Sequence, residues 1–215
     1  VRDFSPVAER LFAGKVPPAL LQKLNKPAGS WREVFGADAD EFFHAWSVAH
    51  FIGEVAAAGK KEYALPMYVN AALRDPFNPG KPGGYASGGP TDNVIGIYQV
   101  AAPAIDLIGP DIYMRESAKY LRVLELYGRP DNALLVTETG NDRTYARYFF
   151  ETLGRQGIGF VPFGIDFSGY SNYPLGAVAT DASMVEPFAV NYRLVAPFAR
   201  TWAKLSFDGK VWGAA

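Results

Sequence analysis

Short apolar runs alternating with amphipathic stretches limit this chain more than any other feature. Strand-like runs occupy residues 61–70 (KEYALPMYVN), 104–113 (AIDLIGPDIY), 133–138 (ALLVTE) and 158–165 (IGFVPFGI). Helical patterns flank them at 38–58, 91–101, 117–127 and 142–153, and a last one starts at Pro187. The clearest is 117–127, where Tyr120, Val123, Leu124 and Tyr127 stand at i, i+3, i+4 and i+7. Within 142–153, Tyr145, Tyr148, Phe149 and Thr152 form the apolar stripe. Strand followed by helix, four times over, calls for right-handed βαβ units and a parallel sheet. No repeat of fixed period accompanies the alternation.

Turn and cap residues set the expected boundaries. Residues 1–37 read as connector and short helix: Ser5-Pro6 starts a helix through Leu11 and Gly14 stops it. Asp38 with Glu41 resembles a capping box, with Phe42, Trp46, Ala49 and Gly53 on one helix face and Gly59 as the stop. Pro66 marks an irregular place in the first strand. Thr91-Asp92 reads as a cap, Pro187 as a first helical residue and Pro197 as a kink. Residues 74–90 hold four Pro and five Gly, too long a stretch for a plain connection. Residues 206–215 read as a linker toward a region outside the chain.

Four βα units are half of an eight-fold barrel, although a four-stranded doubly wound sheet also fits 215 residues. Two features favour the half-barrel. The loops after the first and last strands are long and lie on the same, C-terminal side. The chain also opens with loop and helix, as if cut after a preceding strand. The expected fold is therefore α/β, the second half (about strands 5 to 8) of a (β/α)8 TIM barrel, over residues 38–205.

The stretch Leu134-Leu135-Val136-Thr137-Glu138-Thr139-Gly140-Asn141-Asp142 then stands out. A buried strand delivers Glu138 to its C-terminal lip, and Asn141-Asp142 cap a new helix. In α/β folds that lip is where chemistry sits. A solvated loop carboxylate is the plainer alternative.

Composition narrows the function classes. A formal charge of −1 gives no reason to expect nucleic acid or an acidic membrane surface as partner. No apolar run is long enough to span a membrane, and the first twenty residues carry no signal-peptide pattern. A soluble protein is expected, with periplasmic, secreted and cytoplasmic placements all open. The chain has no cysteine, so disulfides and thiolate metal sites are excluded. His44 and His50 are six apart on one helix and fall on different faces, so they are not a metal pair. Gly154, Gly157 and Gly159 precede a strand, whereas a dinucleotide fingerprint follows one. No G-x-S-x-G elbow occurs, and no strand carries a candidate Schiff-base lysine. Aromatics make up 14%, with 12 Tyr and 4 Trp, which suits sugar binding and a core equally.

Three segments carry a family resemblance: residues 105–113 (IDLIGPDIY), 135–140 (LVTETG) and 159–166 (GFVPFGID). In that order and at barrel spacing they resemble the second half of the catalytic barrel of bacterial β-galactosidases of glycoside hydrolase family 35, and more loosely family 42. The resemblance implies a (β/α)8 barrel with its acid/base glutamate ending the fourth strand and its nucleophile ending the seventh. Glu138 falls on the latter. The family's acid/base motif is an Asn-Glu pair, and no Asn-Glu dipeptide occurs in this chain. That partner carboxyl is expected upstream, on the remaining half of the barrel, so the fragment alone is expected to be inactive.

The resemblance implies a retaining hydrolase of terminal β-galactosides with an oligosaccharide or glycoside substrate and no metal or organic cofactor. Asn70, ending the first strand, would bond a sugar hydroxyl, or else cap the next loop. Tyr113 would hold Glu138 by a hydrogen bond, or else pack at the rim. Asp166, ending the fourth strand, would bind substrate or only brace its loop. Phe167, Tyr170 and Tyr173 would stack on a sugar face or pack under their own loop. Asp111 shares Tyr113's side of the strand and reads as a structural carboxylate. A non-catalytic carbohydrate-binding barrel and an unrelated α/β-barrel enzyme are the rival readings.

Overall fold

Parallel pairing organises the chain as the alternation predicts. In a computed structural model, which describes residues 2–166 and 171–211, strands β1 (Tyr68–Ala72), β2 (Leu107–Ile112), β3 (Leu135–Thr139) and β4 (Gly159–Pro162) form one sheet in the order β1-β2-β3-β4. β3 runs parallel to β2, with Asp111 beside Glu138 and Ile112 beside Thr139. It also runs parallel to β4, with Leu135 beside Gly159 and Val136 beside Phe160. Helices α1 (Pro6–Ala13), α2 (Pro18–Leu24), α3 (Trp31–Phe35), α4 (Ala39–Glu62) and α5 (Ile95–Ala101) precede β2. Helices α6 (Ser117–Tyr127), α7 (Arg143–Ala146), α8 (Tyr148–Gly154), α9 (Ala182–Val195) and α10 (Ala199–Phe207) follow it. The chain divides into two compact units, Val1–Ile108 and Gly109–Ala215.

Several boundaries depart from the sequence expectation for local reasons. The run from Lys61 is helix, not strand: α4 continues through Gly59 to Glu62. Its end is rich in Ala, Lys and Glu, all good helix formers, which outweigh one glycine. β1 therefore begins after Pro66, and Asn70 lies in mid-strand rather than at its end. The expected cap at Asp38 makes no side-chain bond to the helix. The capping box belongs instead to Ser30 and Glu33 at the start of α3. Thr91-Asp92 does not cap α5, because Arg74 takes the Asp92 carboxylate in a two-point ion pair at 2.7 and 2.8 Å. Asp181 caps α9 through the amides of Ser183 and Met184, leaving Pro187 inside the helix. Around Pro197 the chain forms a 3-10 turn, so the kink is a full break before α10.

The first unit packs around aromatic rings. Trp31 and Phe12 each meet Phe43 edge to face at 5.3 Å. The long Pro/Gly loop is held onto this unit by Glu41, which is 2% exposed. Tyr85 Oη donates to Glu41 Oε1 at 2.8 Å, and Asn93 Nδ2 donates to Oε2 at 3.1 Å. Tyr98 Oη bonds the Gly88 carbonyl at 2.7 Å. Gly88 has a φ of 90°, and a Cβ there would lie 2.1 Å from His44 Cδ2, so only glycine fits. His44 is half-buried, and burial lowers its pKa. His50 is exposed and faces Glu54 at 3.5 Å.

A buried carboxylate with two neutral donors makes the loop sensitive to deletion of any one member. Glu41→Leu, which strands the Tyr85 hydroxyl and Asn93 amide, is expected to lower stability by about 1–3 kcal/mol, and Tyr85→Phe by about 1 kcal/mol. Urea unfolding measures both. Unchanged midpoints would show that the carboxylate does not hold the loop.

Candidate functional site

The second unit gathers its polar side chains at the C-terminal ends of β2 and β3. Register and strand alternation put Asp111 and Glu138 on one face, and Ile112 and Thr139 on the other. On the latter face Thr139 Oγ1 donates to the Ile112 carbonyl at 2.8 Å and lies 3.1 Å from Tyr120 Oη. Tyr120 is buried and stacked on Tyr148 with centroids 3.7 Å apart. One residue before Glu138, Thr137 Oγ1 shares its proton between the Pro110 carbonyl at 3.1 Å and Asp111 Oδ1 at 3.3 Å. Hydroxyls on both sides of Glu138 thus cross-link β3 to β2.

Glu138 is half-buried and accepts a hydrogen bond from Tyr113 Oη at Oε1. Burial, then the bond to Glu138, pushes the Tyr113 ionisation well above its ordinary value. At neutral pH the phenol therefore keeps its proton and serves as donor to the carboxyl. The Tyr113 carbonyl accepts from Tyr145 Oη at 2.7 Å, which fixes the chain just past β2. Gly140 completes the arrangement: a Cβ there would fall 2.1 Å from Tyr145 Cε2. The Glu-Thr-Gly sequence is thus explained by packing as well as by the carboxylate.

Residues beyond β3 close the lip. Asp142 caps α7 through the Thr144 amide at 2.8 Å and pairs with Arg115 at 2.5 Å. Asn141 is buried and accepts the Ala177 amide at 2.7 Å through Oδ1. Asn172, also buried, belongs to the same returning segment, and its carbonyl accepts the Gly176 amide at 2.7 Å.

Of the residues singled out from sequence, Tyr113 and Glu138 are brought together. Asp111 is half-buried and bonded to Thr137, as a structural carboxylate would be. Asp166 does not end a strand: β4 stops at Pro162, a turn at Phe163-Gly164 follows, and Asp166 is exposed beyond it. Pro162 has no amide with which to extend the ladder. Asn70 lies in the first unit, exposed in mid-β1. Tyr173 is 66% exposed, while Phe167 and Tyr170 lie outside the described residues. Sequence reasoning misses Asn141, Tyr145 and Asn172 as members of the site. Asn141 carries a cap signal, but nothing local marks the other two.

A separate groove of about 1050 Å³ lies at the N-terminal ends of β3 and β4, lined by residues including Leu134, Ile158, Trp202 and Phe207. Arg129 and Arg155 border it, and among the described residues no carboxylate does. Strand N-terminal ends serve stability in such folds, so the Glu138 lip is the better candidate.

No family model matches the chain, and no curated protein is detectably similar to it. Among the described residues, no helix is long and apolar enough to cross a membrane.

The tyrosines around the lip carry a pH signature. Burial raises the ionisation of Tyr113 and Tyr120, and pushes Tyr145 up to about 12. A phenol with a raised folded-state pKa contributes stability that is present below the unfolded value, about 10, and lost as pH rises toward the folded value. The expected result is a steady midpoint in urea from neutral pH to about 9, then a fall between about pH 10 and 12, less steep in Tyr145→Phe. A midpoint that does not fall over that window would contradict the buried-phenol account.

Proposed function

We propose that this protein is a retaining glycoside hydrolase of the β-galactosidase type, with Glu138 as its nucleophile. The observation that carries the reading is Glu138 at a strand's C-terminal end, gripped by Tyr113 Oη and flanked by cross-linking threonines. The order and spacing of the three sequence segments support it, as does the parallel sheet. On this reading the sheet is strands 5 to 8 of a (β/α)8 barrel, and the remaining half supplies the second carboxyl.

The reaction is a double displacement. A Glu138 oxygen attacks the anomeric carbon of a terminal β-galactoside as the bond to the leaving oxygen breaks. The second carboxyl, about 5–5.5 Å away in enzymes of this type, gives that oxygen its proton. It then takes a proton from water, which releases the sugar from Glu138. The Tyr113 hydrogen bond keeps one carboxylate oxygen in place and leaves the other to attack.

A 2-fluoro-galactoside inactivator followed by peptide mass mapping tests this on the whole protein. The expected adduct is on Glu138, and Glu138→Gln should lower kcat by a thousand-fold or more, on the order of losses seen for other covalent nucleophiles. Labelling at another residue would refute the assignment. Sugar binding without turnover or labelling would favour a non-catalytic carbohydrate-binding barrel.

A further inference from the structure

The grip of Tyr113 on Glu138 is only as firm as the placement of Tyr113 itself. β2 ends at Ile112, which lies beside Thr139, so Tyr113 is the first residue past the pairing. A strand end without further support frays. Here the support comes from side chains. The Tyr113 carbonyl accepts from Tyr145 Oη at 2.7 Å. Two residues on, the Arg115 carbonyl accepts from Tyr148 Oη at 2.9 Å and Arg147 Nη2 at 3.1 Å. The bonds at Arg115 keep the loop down, whereas the bond from Tyr145 fixes the peptide of Tyr113 and with it the direction of the phenol.

Packing alone does not call for a hydroxyl at residue 145. The residue is fully buried, its ring centroid lies 6.5 Å from that of Tyr148, and a phenylalanine would fill the same space. The backbone just after Glu138 sets where the ring lies: a Cβ on Gly140 would fall 2.1 Å from Tyr145 Cε2 and 2.4 Å from Cδ2. The Arg115 guanidinium sits 5.2 Å from the ring centroid and is itself paired with Asp142 at 2.5 Å. The Asp142 carbonyl in turn accepts the Tyr145 amide at 3.0 Å. These contacts close a circuit. Gly140 seats Tyr145, Tyr145 holds Tyr113, and Tyr113 returns to Glu138 on the same strand end as Gly140. The ends of β2 and β3 cannot shift past each other without breaking one of these contacts.

We propose that Tyr145 is a positioning residue for Glu138, its hydroxyl fixing the Tyr113 main chain and, through it, the phenol that orients the carboxylate. The proposal rests on Glu138 being the nucleophile of the hydrolase reading, and it adds a residue to which that reaction gives no step. Tyr145 lies behind Tyr113 and reaches Glu138 through it. Removing its hydroxyl therefore loosens the reacting geometry, and the loss falls on kcat with KM little changed.

The test is Tyr145→Phe in the whole protein, read in two ways. Carbon-13 NMR of protein labelled at the tyrosine Cζ reports the hydrogen bond of each phenol, with the Tyr113 signal assigned from Tyr113→Phe. Tyr145→Phe is expected to move that signal toward the position it takes in Glu138→Ala, where the acceptor is gone. Gly140→Ala, which displaces the same ring, is expected to move it in the same direction. In galactoside hydrolysis Tyr145→Phe is expected to lower kcat about ten-fold and to change KM by less than about two-fold. Added to Tyr113→Phe it is expected to cause no further loss, because the two act in series, whereas a general loosening of the lip would add. Incorporation of 4-fluorophenylalanine at position 145 keeps the volume and removes the donor, so it replaces Tyr145→Phe if that variant fails to fold. An unmoved Tyr113 signal in a folded donor-less variant, or additive losses in the double variant, would overturn the proposal. The NMR arm needs no turnover, so a protein that galactosides neither label nor engage as substrates defeats the hydrolase reading and still leaves the Tyr113 signal to decide this one.

Discussion

The lateral grip of β3 on β2 is the constraint on which the candidate site depends. A parallel ladder alone sets Asp111 beside Glu138, but it does not stop a strand end from fraying. Thr137 and Thr139 add side-chain bonds to the carbonyls of Pro110 and Ile112, one on each side of Glu138. Gly109 permits this approach, since a Cβ there would fall 2.1 Å from Thr137 Cγ2. A carboxylate on such a strand end is held by its backbone before any partner touches it. That is the condition a nucleophile or a binding group needs.

Polar groups inside each unit serve to hold irregular chain in place. In the first, Glu41 draws Tyr85 and Asn93 onto α4. In the second, Asn141 holds the returning segment at Ala177, and Tyr145 holds the chain past β2 at Tyr113. Each such bond contributes about 1 kcal/mol net, but losing one partner leaves the other buried and unsatisfied at a cost of about 1–3 kcal/mol. The long loops these bonds anchor are therefore specified by a few single residues.

How much of this is legible in the sequence varies with the type of signal. Residues 117–127 read directly as α6, because their stripe at helical spacing and Gly128 agree on every boundary. The start of the first strand does not, because Lys60, Lys61 and Glu62 are consistent with either a helix end or a strand start, and the continuity of α4 decides it. Glu41 reads as half of a cap from its distance to Asp38. Its burial is set by Tyr85 and Asn93, 44 and 52 positions away. Asp166 reads as a strand end because the apolar run continues to Ile165, but the ladder has already ended at Pro162.

The sequence by itself determined the four strands and their alternation with helices, and it marked Glu138 and Tyr113 as strand-end residues. Those properties follow from local periodicity and from where apolar runs stop. Only the tertiary structure decided that the Tyr113 hydroxyl meets the Glu138 carboxyl, that Gly140 is needed to seat Tyr145, and that Asn172 is buried with an unmet donor. Each of these depends on inter-strand register and on the path of a returning loop. Both are set by packing between residues far apart in the chain, and no local pattern encodes them.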